Sequence, residues 1–432
     1  MGFEGFPTGT AYTLHRVRLH VSSLENSGLV FDNEGWALAD VSVVGGKISA
    51  FAPVGVPTEN DMGGRIILPT FIDCHTHLDK GHIWPRSPNP DGSFMGALNT
   101  VGGDRAANWS ADDLAARMDF ALRCAYAYGT KAIRTHLDCV APQEDISWPV
   151  FMDMRNKWKG RVDLQAACLT GIEQNRDRAW AKSLVNKVAA AGGVLGTVTY
   201  MIPDLEELLD DMFQAAIEHG LDMDFHADET DELEAISLRK IAEAAERHNY
   251  QGRILIGHCC ALSRQPDDEV KRTLDVVAKR NISIVSLPMC NMYLQDRRNN
   301  NTTPRWRGVT LLHEMKARGI NVCVASDNTR DPFYAYGDLD MMETYRMATR
   351  TIHFDHPVAD WPKTVGANAA KAMGIDAGQI KVGGPADFVV FKGRSWTELL
   401  SRPEASRSVV RNGKAVDTTL PDYSELDHLM VH

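Results

Sequence analysis

Eight short apolar runs alternate with amphipathic stretches across the middle of this chain, and that alternation limits the folds open to it. The runs are Ile66–Asp73, Ala132–Leu137, Val162–Leu169, Val194–Met201, Leu221–His226, Arg253–His258, Ile282–Leu287 and Ile320–Ser326. Between them lie segments of helical periodicity, such as Ala111–Tyr128, Asp204–His219, Glu232–His248, Asp267–Lys279 and Leu311–Arg318. Parallel neighbours need a helix-length crossover, so strands that alternate with helices predict a parallel sheet. Eight such units predict an α/β fold closed as a (β/α)8 TIM-type barrel. An open doubly wound sheet is the alternative. No G-x-G-x-x-G follows the first run, which counts against a dinucleotide-binding version of it.

The flanks read differently. Tyr12–Val21, Trp36–Val44 and Lys47–Phe51 are short β-type runs, with Gly45-Gly46 as a turn before the third. After residue 376 come Asp387–Phe391, Ser408–Arg411, a turn at Asn412-Gly413, and Lys414–Val416. Strand-rich zones at both ends predict a small β-sandwich built from residues 1–66 and 376–432, around a barrel of residues 67–375. Asn299-Asn300-Asn301-Thr302-Thr303-Pro304 reads as a polar loop.

Composition narrows the partners. The 432 residues are 44% hydrophobic and carry a net charge of −11, which disfavours nucleic acid and anionic membranes and favours a small-molecule ligand. No apolar stretch reaches the roughly 18 residues of a membrane span. Met1 to Thr13 has neither a basic nor an apolar leader pattern. The eight cysteines show no disulfide framework and no C-x-x-C zinc spacing. A cytoplasmic enzyme with reduced thiols is expected.

The chemistry gathers where the runs end. His75 and His77 close the first run, and residues i and i+2 of a strand point to one face. His226 closes the fifth run, His258 the sixth, and Asp327 the eighth. Barrel enzymes collect their reactive groups at these carboxyl ends. Three of these imidazoles with the carboxylate suit Zn²⁺ or Fe²⁺, with Mn²⁺ also compatible, and leave a position open for water. A single strand-end histidine is more often a hydrogen-bonded core residue, and Asp327 alone could be a helix cap. The joint occurrence outweighs those separate readings.

Glu229 follows His226 by three residues, where a carboxylate can take a proton from water and return it to a leaving amine. Its acidic neighbours Asp228, Asp231 and Glu232 also allow a solvated surface acid. His258 can serve as ligand, base or electrophile. Lys80 follows the histidine pair closely enough to touch substrate. Trp84, in His82-Ile83-Trp84-Pro85-Arg86-Ser87, either stacks on a ring or packs its own loop. His136 ends the second run and reads as support for the ligands or lining for the substrate.

These motifs together resemble the amidohydrolase superfamily, and within it the cytosine deaminase branch. The similarity runs from about residue 12 to 418. It rests on His75-Thr76-His77-Leu78-Asp79-Lys80, His226-Ala227-Asp228-Glu229, Gly257-His258, Pro288 to Arg297, Ser326-Asp327-Asn328 with Arg330 to Phe333, and Gly383 to Val390 with Val410 to Lys414.

The resemblance implies one metal ion per subunit, held by His75, His77, His226 and Asp327. It implies removal of an exocyclic amino group from a cytosine-like N-heterocycle by a metal-bound hydroxide. Glu229, His258 and Asp327 are then catalytic, and a homo-oligomer is expected. Lys80, Trp84, Leu169 and Asn328 are the expected substrate contacts.

Two departures bear on the ring. Cytosine deaminases carry Gln at the end of the third strand, where this chain has Leu169-Thr170-Gly171. They carry a second acid where this chain has Asn328. Asn donates as well as accepts, so a different edge pattern is expected of the substrate. Pterins and other two-ring substrates stay open, because the loops after the first, third and seventh strands set the pocket size. The alternative activity is hydrolysis of an N-alkylamine or cyclic amide on a triazine-type ring.

Overall fold

A computed structural model describes residues 6–57, 59–297, 302–403 and 406–430. Asn299, Asn300 and Asn301 of the expected polar loop lie outside the described residues.

Strands β1 (Ala11–His20), β2 (Trp36–Val44), β3 (Lys47–Pro53) and β4 (Ile66–Pro69) come first. Eight strands follow: β5 (Phe71–Thr76), β6 (Thr130–Asp138), β7 (Asp163–Leu169), β8 (Leu195–Thr199), β9 (Met223–Ala227), β10 (Ile254–His258), β11 (Ile282–Ser286) and β12 (Asn321–Val324). The last three are β13 (Phe388–Phe391), β14 (Arg407–Arg411) and β15 (Lys414–Ala415).

The expected first run, Ile66–Asp73, is two strands. β4 pairs with β1 and β13, whereas β5 pairs with β6. Both halves are buried, so the apolar pattern continues across Thr70 and hides the change of sheet. The strands of both termini form one hydrogen-bonded sheet, in the order β15-β14-β13-β4-β1-β2-β3. Its core is separate from the main one and includes Leu14, Val17, Val41, Ile48, Phe388 and Val410.

The eight middle strands are parallel in two sheets, β5-β6-β7 and β12-β11-β10-β9-β8. Parallel bridges join the sheets at both sides. Ala167 meets Val194 and Gly171 meets Val198 on one side, and Thr76 meets Asp327 on the other. The Asp327 amide donates to the His75 carbonyl at 3.0 Å, so the ends of β5 and β12 lie together.

Local signals explain the helices around them. Ser110 caps Ala111–Tyr128 by accepting from the Asp113 amide, and Gly129 ends it at φ 97°. A Cβ at Gly129 would come within 2.6 Å of Val389, so the left-handed turn and the close approach both require glycine. The expected helix Glu232–His248 is Ser237–Arg247. Asp228 accepts from the amides of Ser237 and Leu238 at 2.8 and 2.9 Å, capping the helix from the end of β9. Residues 230–235 are thereby left as loop. The helix Phe94–Asn108 escapes pattern reading, because Gly102-Gly103 interrupts it and no single face is apolar. Among the described residues, no helix is long and apolar enough to cross a membrane.

Candidate active site

The carboxyl ends of β5, β9, β10 and β12 deliver His75, His77, His226, His258 and Asp327 to one place. All five are buried. His77 Nε2 lies 3.2 Å from Asp327 Oδ1 and 3.4 Å from His226 Nε2. His75 Nε2 lies 3.7 Å from the same carboxylate oxygen. Both carboxylate oxygens of Asp327 and both ring nitrogens of His75 lack a hydrogen-bond partner. Burial pushes Asp327 up to about 8. It holds His75, His77 and His226 well below the usual imidazole range, helped by His136 beside all three. Neutral imidazoles and an uncompensated buried carboxylate are the donor set a divalent cation takes. The residues present therefore fit a metal ion.

His136 lies in the same group, its ring centroid 4.1 Å from that of His75. Its nitrogens are already engaged. Nε2 pairs with Asp224 at 2.9 Å and Nδ1 faces the Thr76 carbonyl at 3.4 Å. Asp224 also accepts from Arg134 Nη1 at 3.1 Å, and Arg134 donates to Gln165. This ionic layer packs directly beneath the histidines.

Glu229 is not a surface acid. Its side chain is 13% exposed, and Oε1 lies 3.3 Å from His258 Nδ1. Burial, then nearby Asp327, raises its pKa well above the usual carboxylate range. Asn291 bridges the two groups, its Nδ2 3.0 Å from Glu229 Oε1 and 3.0 Å from His258 Nδ1. With Asn291 donating to Nδ1, the ring proton sits on His258 Nε2, which has no other partner. Sequence reasoning missed Asn291. The only signal was its place in the stretch after the seventh strand.

A cavity of about 1060 Å³ opens over these groups. His77, Lys80, Leu169, His226, Glu229, His258, Asp327 and Asn328 all line it. Lys80 Nζ pairs with Asp138 at 2.9 Å, and Asp138 pairs in turn with Arg105 at 2.8 Å. The Asn328 amide is already committed: Nδ2 donates to Asp331 at 2.9 Å and the Cys290 thiol donates to Oδ1 at 3.4 Å.

Trp84 is a correction. It does not line the cavity. The backbone turns through left-handed His82, and the Trp84 amide donates to the Arg330 carbonyl at 2.9 Å. Arg86, locked to Asp104 and Asp113, then draws the segment away from the mouth.

Convergent imidazoles, an orphaned carboxylate and a buried acid at the mouth of an α/β fold define a hydrolytic centre. The model of the amidohydrolase family matches residues 163–417, and the chain belongs to that family of C–N bond hydrolases. It is 52% identical over 400 residues to the pterin deaminase of Rhizobium rhizogenes strain K84, covering 91% of each chain. It is 23% identical to the N-isopropylammelide isopropyl amidohydrolase of Pseudomonas sp. strain ADP, over 87% of this chain and 93% of that one. The 5-methylcytosine deaminase of Klebsiella pneumoniae, crystallised with 5-fluorocytosine, shares the fold at a TM-score of 0.81 and 20% identity, covering 95% of this chain and 98% of that one.

Proposed function

We propose that this chain is a metal-dependent deaminase that hydrolyses the exocyclic amine of a pterin. The observation that carries the reading is the 52% identity with a pterin deaminase across nine-tenths of both chains. A two-ring substrate replaces the cytosine-like ring expected from the resemblance to cytosine deaminases. The cavity, at about 1060 Å³, has room for one.

In this reading the eight parallel strands close as a (β/α)8 barrel over residues 67–375, and the terminal sheet folds across itself as a sandwich. His75, His77, His226 and Asp327 hold one divalent ion, for which zinc, iron and manganese are all suitable. When bound, the ion supplies the Lewis acidity that makes water a nucleophile at neutral pH.

The chain's own groups do the rest. Glu229 takes one proton of the water at Oε1, which its raised pKa favours, and passes it to a ring nitrogen; it then takes the second proton and passes that to the departing ammonia. His258 donates from Nε2 to the attacking oxygen, and Asn291 fixes that tautomer. Lys80, held by Asp138, offers Nζ to an electron-rich atom on the ring. Leu169 forms an apolar wall, and Asn328 acts through Asp331 and Cys290.

The test is ammonia release from protein loaded with zinc, iron or manganese, against pterin, cytosine, 5-methylcytosine, isocytosine and amino-triazines. Strong turnover of pterin alone is the expected result. Release of an alkylamine from a triazine with pterin silent would transfer the reading to N-alkylamine hydrolysis.

A further inference from the structure

The last turns of the described chain lie outside every catalytic motif, yet they touch both loops that carry the site. Tyr423–Leu429 is a 3-10 helix opened by a capping box between Asp422 and Glu425. Leu426 is buried on Phe120 and Cys124 of the helix Ala111–Tyr128. Glu425 forms a two-pronged pair with Arg123. These contacts anchor the segment to the body.

Its other face meets the active-site loops. The Tyr423 ring stacks on Phe120, with centroids 5.6 Å apart, and lies 6.3 Å from His82. The Arg330 guanidinium sits 3.8 Å over the Tyr423 ring. The Tyr423 hydroxyl donates to Asp338 at 3.0 Å. The Leu429 carbonyl accepts from Arg86 at 3.1 Å.

His82 and Arg330 are the points where each loop is strained. Both adopt left-handed backbone, at φ 65° and 47°, and Asp327 does so at 61°. Non-glycine residues keep such conformations only where their surroundings over-determine them. The two loops are zipped together by the His82 amide donating to Thr329 at 2.8 Å and the Trp84 amide donating to Arg330 at 2.9 Å. Lys80 stands two residues before His82. Asp327 stands three before Arg330, and Asp331, which holds Asn328, stands one after it. Neither Tyr423 nor Arg330 lines the cavity. Any effect they have on the reaction must pass through the backbone they hold.

We propose that residues 422–429 are a positioning clamp, in which Tyr423 pins Arg330 and so fixes the loop of Asp327, Asn328 and Asp331 against the loop of Lys80. Tyr423 and Arg330 are positioning residues. Their consequence for turnover rests on the hydrolytic reading of the site, whereas their consequence for loop order does not.

The experiment compares Tyr423→Ala, Tyr423→Phe and Val17→Ala proteins. It reads kcat, KM, Tm, bound metal and hydrogen exchange in residues 80–87 and 327–334. The clamp predicts that Tyr423→Ala lowers kcat about tenfold with KM nearly unchanged, as a small misplacement of reacting groups does. Exchange in both loops rises in that variant. Tyr423→Phe keeps the ring over Arg330 and restores kcat and protection. Val17→Ala, in the separate core of the terminal sheet, lowers Tm but leaves kcat and loop exchange as they were.

Unchanged loop exchange in Tyr423→Ala overturns the proposal. So does a loss of kcat that merely tracks Tm through both alanine variants. If Tyr423→Ala does not fold, Arg330→Gln supplies the same readouts. If no heterocycle is turned over by the unmodified protein, the assigned reaction fails, and the exchange measurements still decide the clamp.

Discussion

The Nε2 atoms of His77 and His226 face each other across 3.4 Å, with an Asp327 oxygen 3.2 Å from the first. Two neutral imidazoles can share at most one proton across such a gap. His75 adds unpartnered nitrogens to the same cluster. In the proposed site a cation would be held by all four groups. Removal of metal with a strong chelator is therefore expected to abolish turnover and lower Tm, and zinc, manganese or iron to restore both. The His77→Asn variant is expected to fall well below one ion per chain by elemental analysis. Undiminished turnover in chelated, metal-free protein would remove the ion from the reading.

Glu229 is the carboxylate that moves protons from water to the ring and the leaving group in the proposed reaction. Glu229→Gln preserves shape and the contact with Asn291 but cannot carry a proton. Its metal content should stay at the level of the unmodified protein, while kcat falls by about 10²–10⁴. A Gln variant with normal kcat would refute the assignment.

Arg134 and Asp224 form an ion pair that is essentially inaccessible to water beneath the histidines, at 3.1 Å. Taking away one member strands the other. Arg134→Met is expected to cost about 3–5 kcal/mol in urea unfolding, because it leaves Asp224 buried without its cationic partner. The double variant Arg134→Met, Asp224→Leu should recover part of that loss. If the single variant costs nothing, water reaches this layer.

His20 gives a pH dependence that is independent of the catalytic groups. Its ring is buried between Trp36 and Trp396, with centroids 5.0 and 5.1 Å away. Burial lowers its pKa from 6.5 to about 4, against a smaller opposing pull from the Glu34 carbonyl and Asp32. Below pH 6.5 the unfolded chain binds this proton more readily than the folded one. Stability from this group is thus full above pH 6.5 and lost as pH falls toward 4, by up to about 3 kcal/mol. The difference in urea midpoint between the unmodified protein and His20→Gln should shrink across that window on acidification. A constant difference from pH 7 to pH 4 would rule the mechanism out.

The strand ends carried most of what was legible beforehand. His75, His77, His226, His258 and Asp327 each close an apolar run, and parallel strands deliver their carboxyl ends to one side. That inference needs only local periodicity and chain direction. Glu229 could be singled out by its spacing from His226, but not separated from the acids around it. Asp228 turned out to cap a helix, and only packing reveals which of two adjacent carboxylates is buried against an imidazole. Asn291 carried no pattern of its own, since a polar residue after a strand is ordinary.

Trp84 and Asn328 mark the limit from the other side. Both stand near site residues in sequence, yet one backbone turn at His82 takes Trp84 out of the cavity, and Asp331 and Cys290 occupy the Asn328 amide. The amino-acid order by itself determined the eight strands, the donor set and the face on which it gathers, because these follow from periodicity and from the side to which a strand points its residues. The tertiary structure alone decided that Ile66–Asp73 divides between two sheets, that Asn291 joins Glu229 to His258, and that the C-terminal segment closes on the loops. Those are contacts between residues far apart along the chain, and no local pattern encodes which distant group fills a given space.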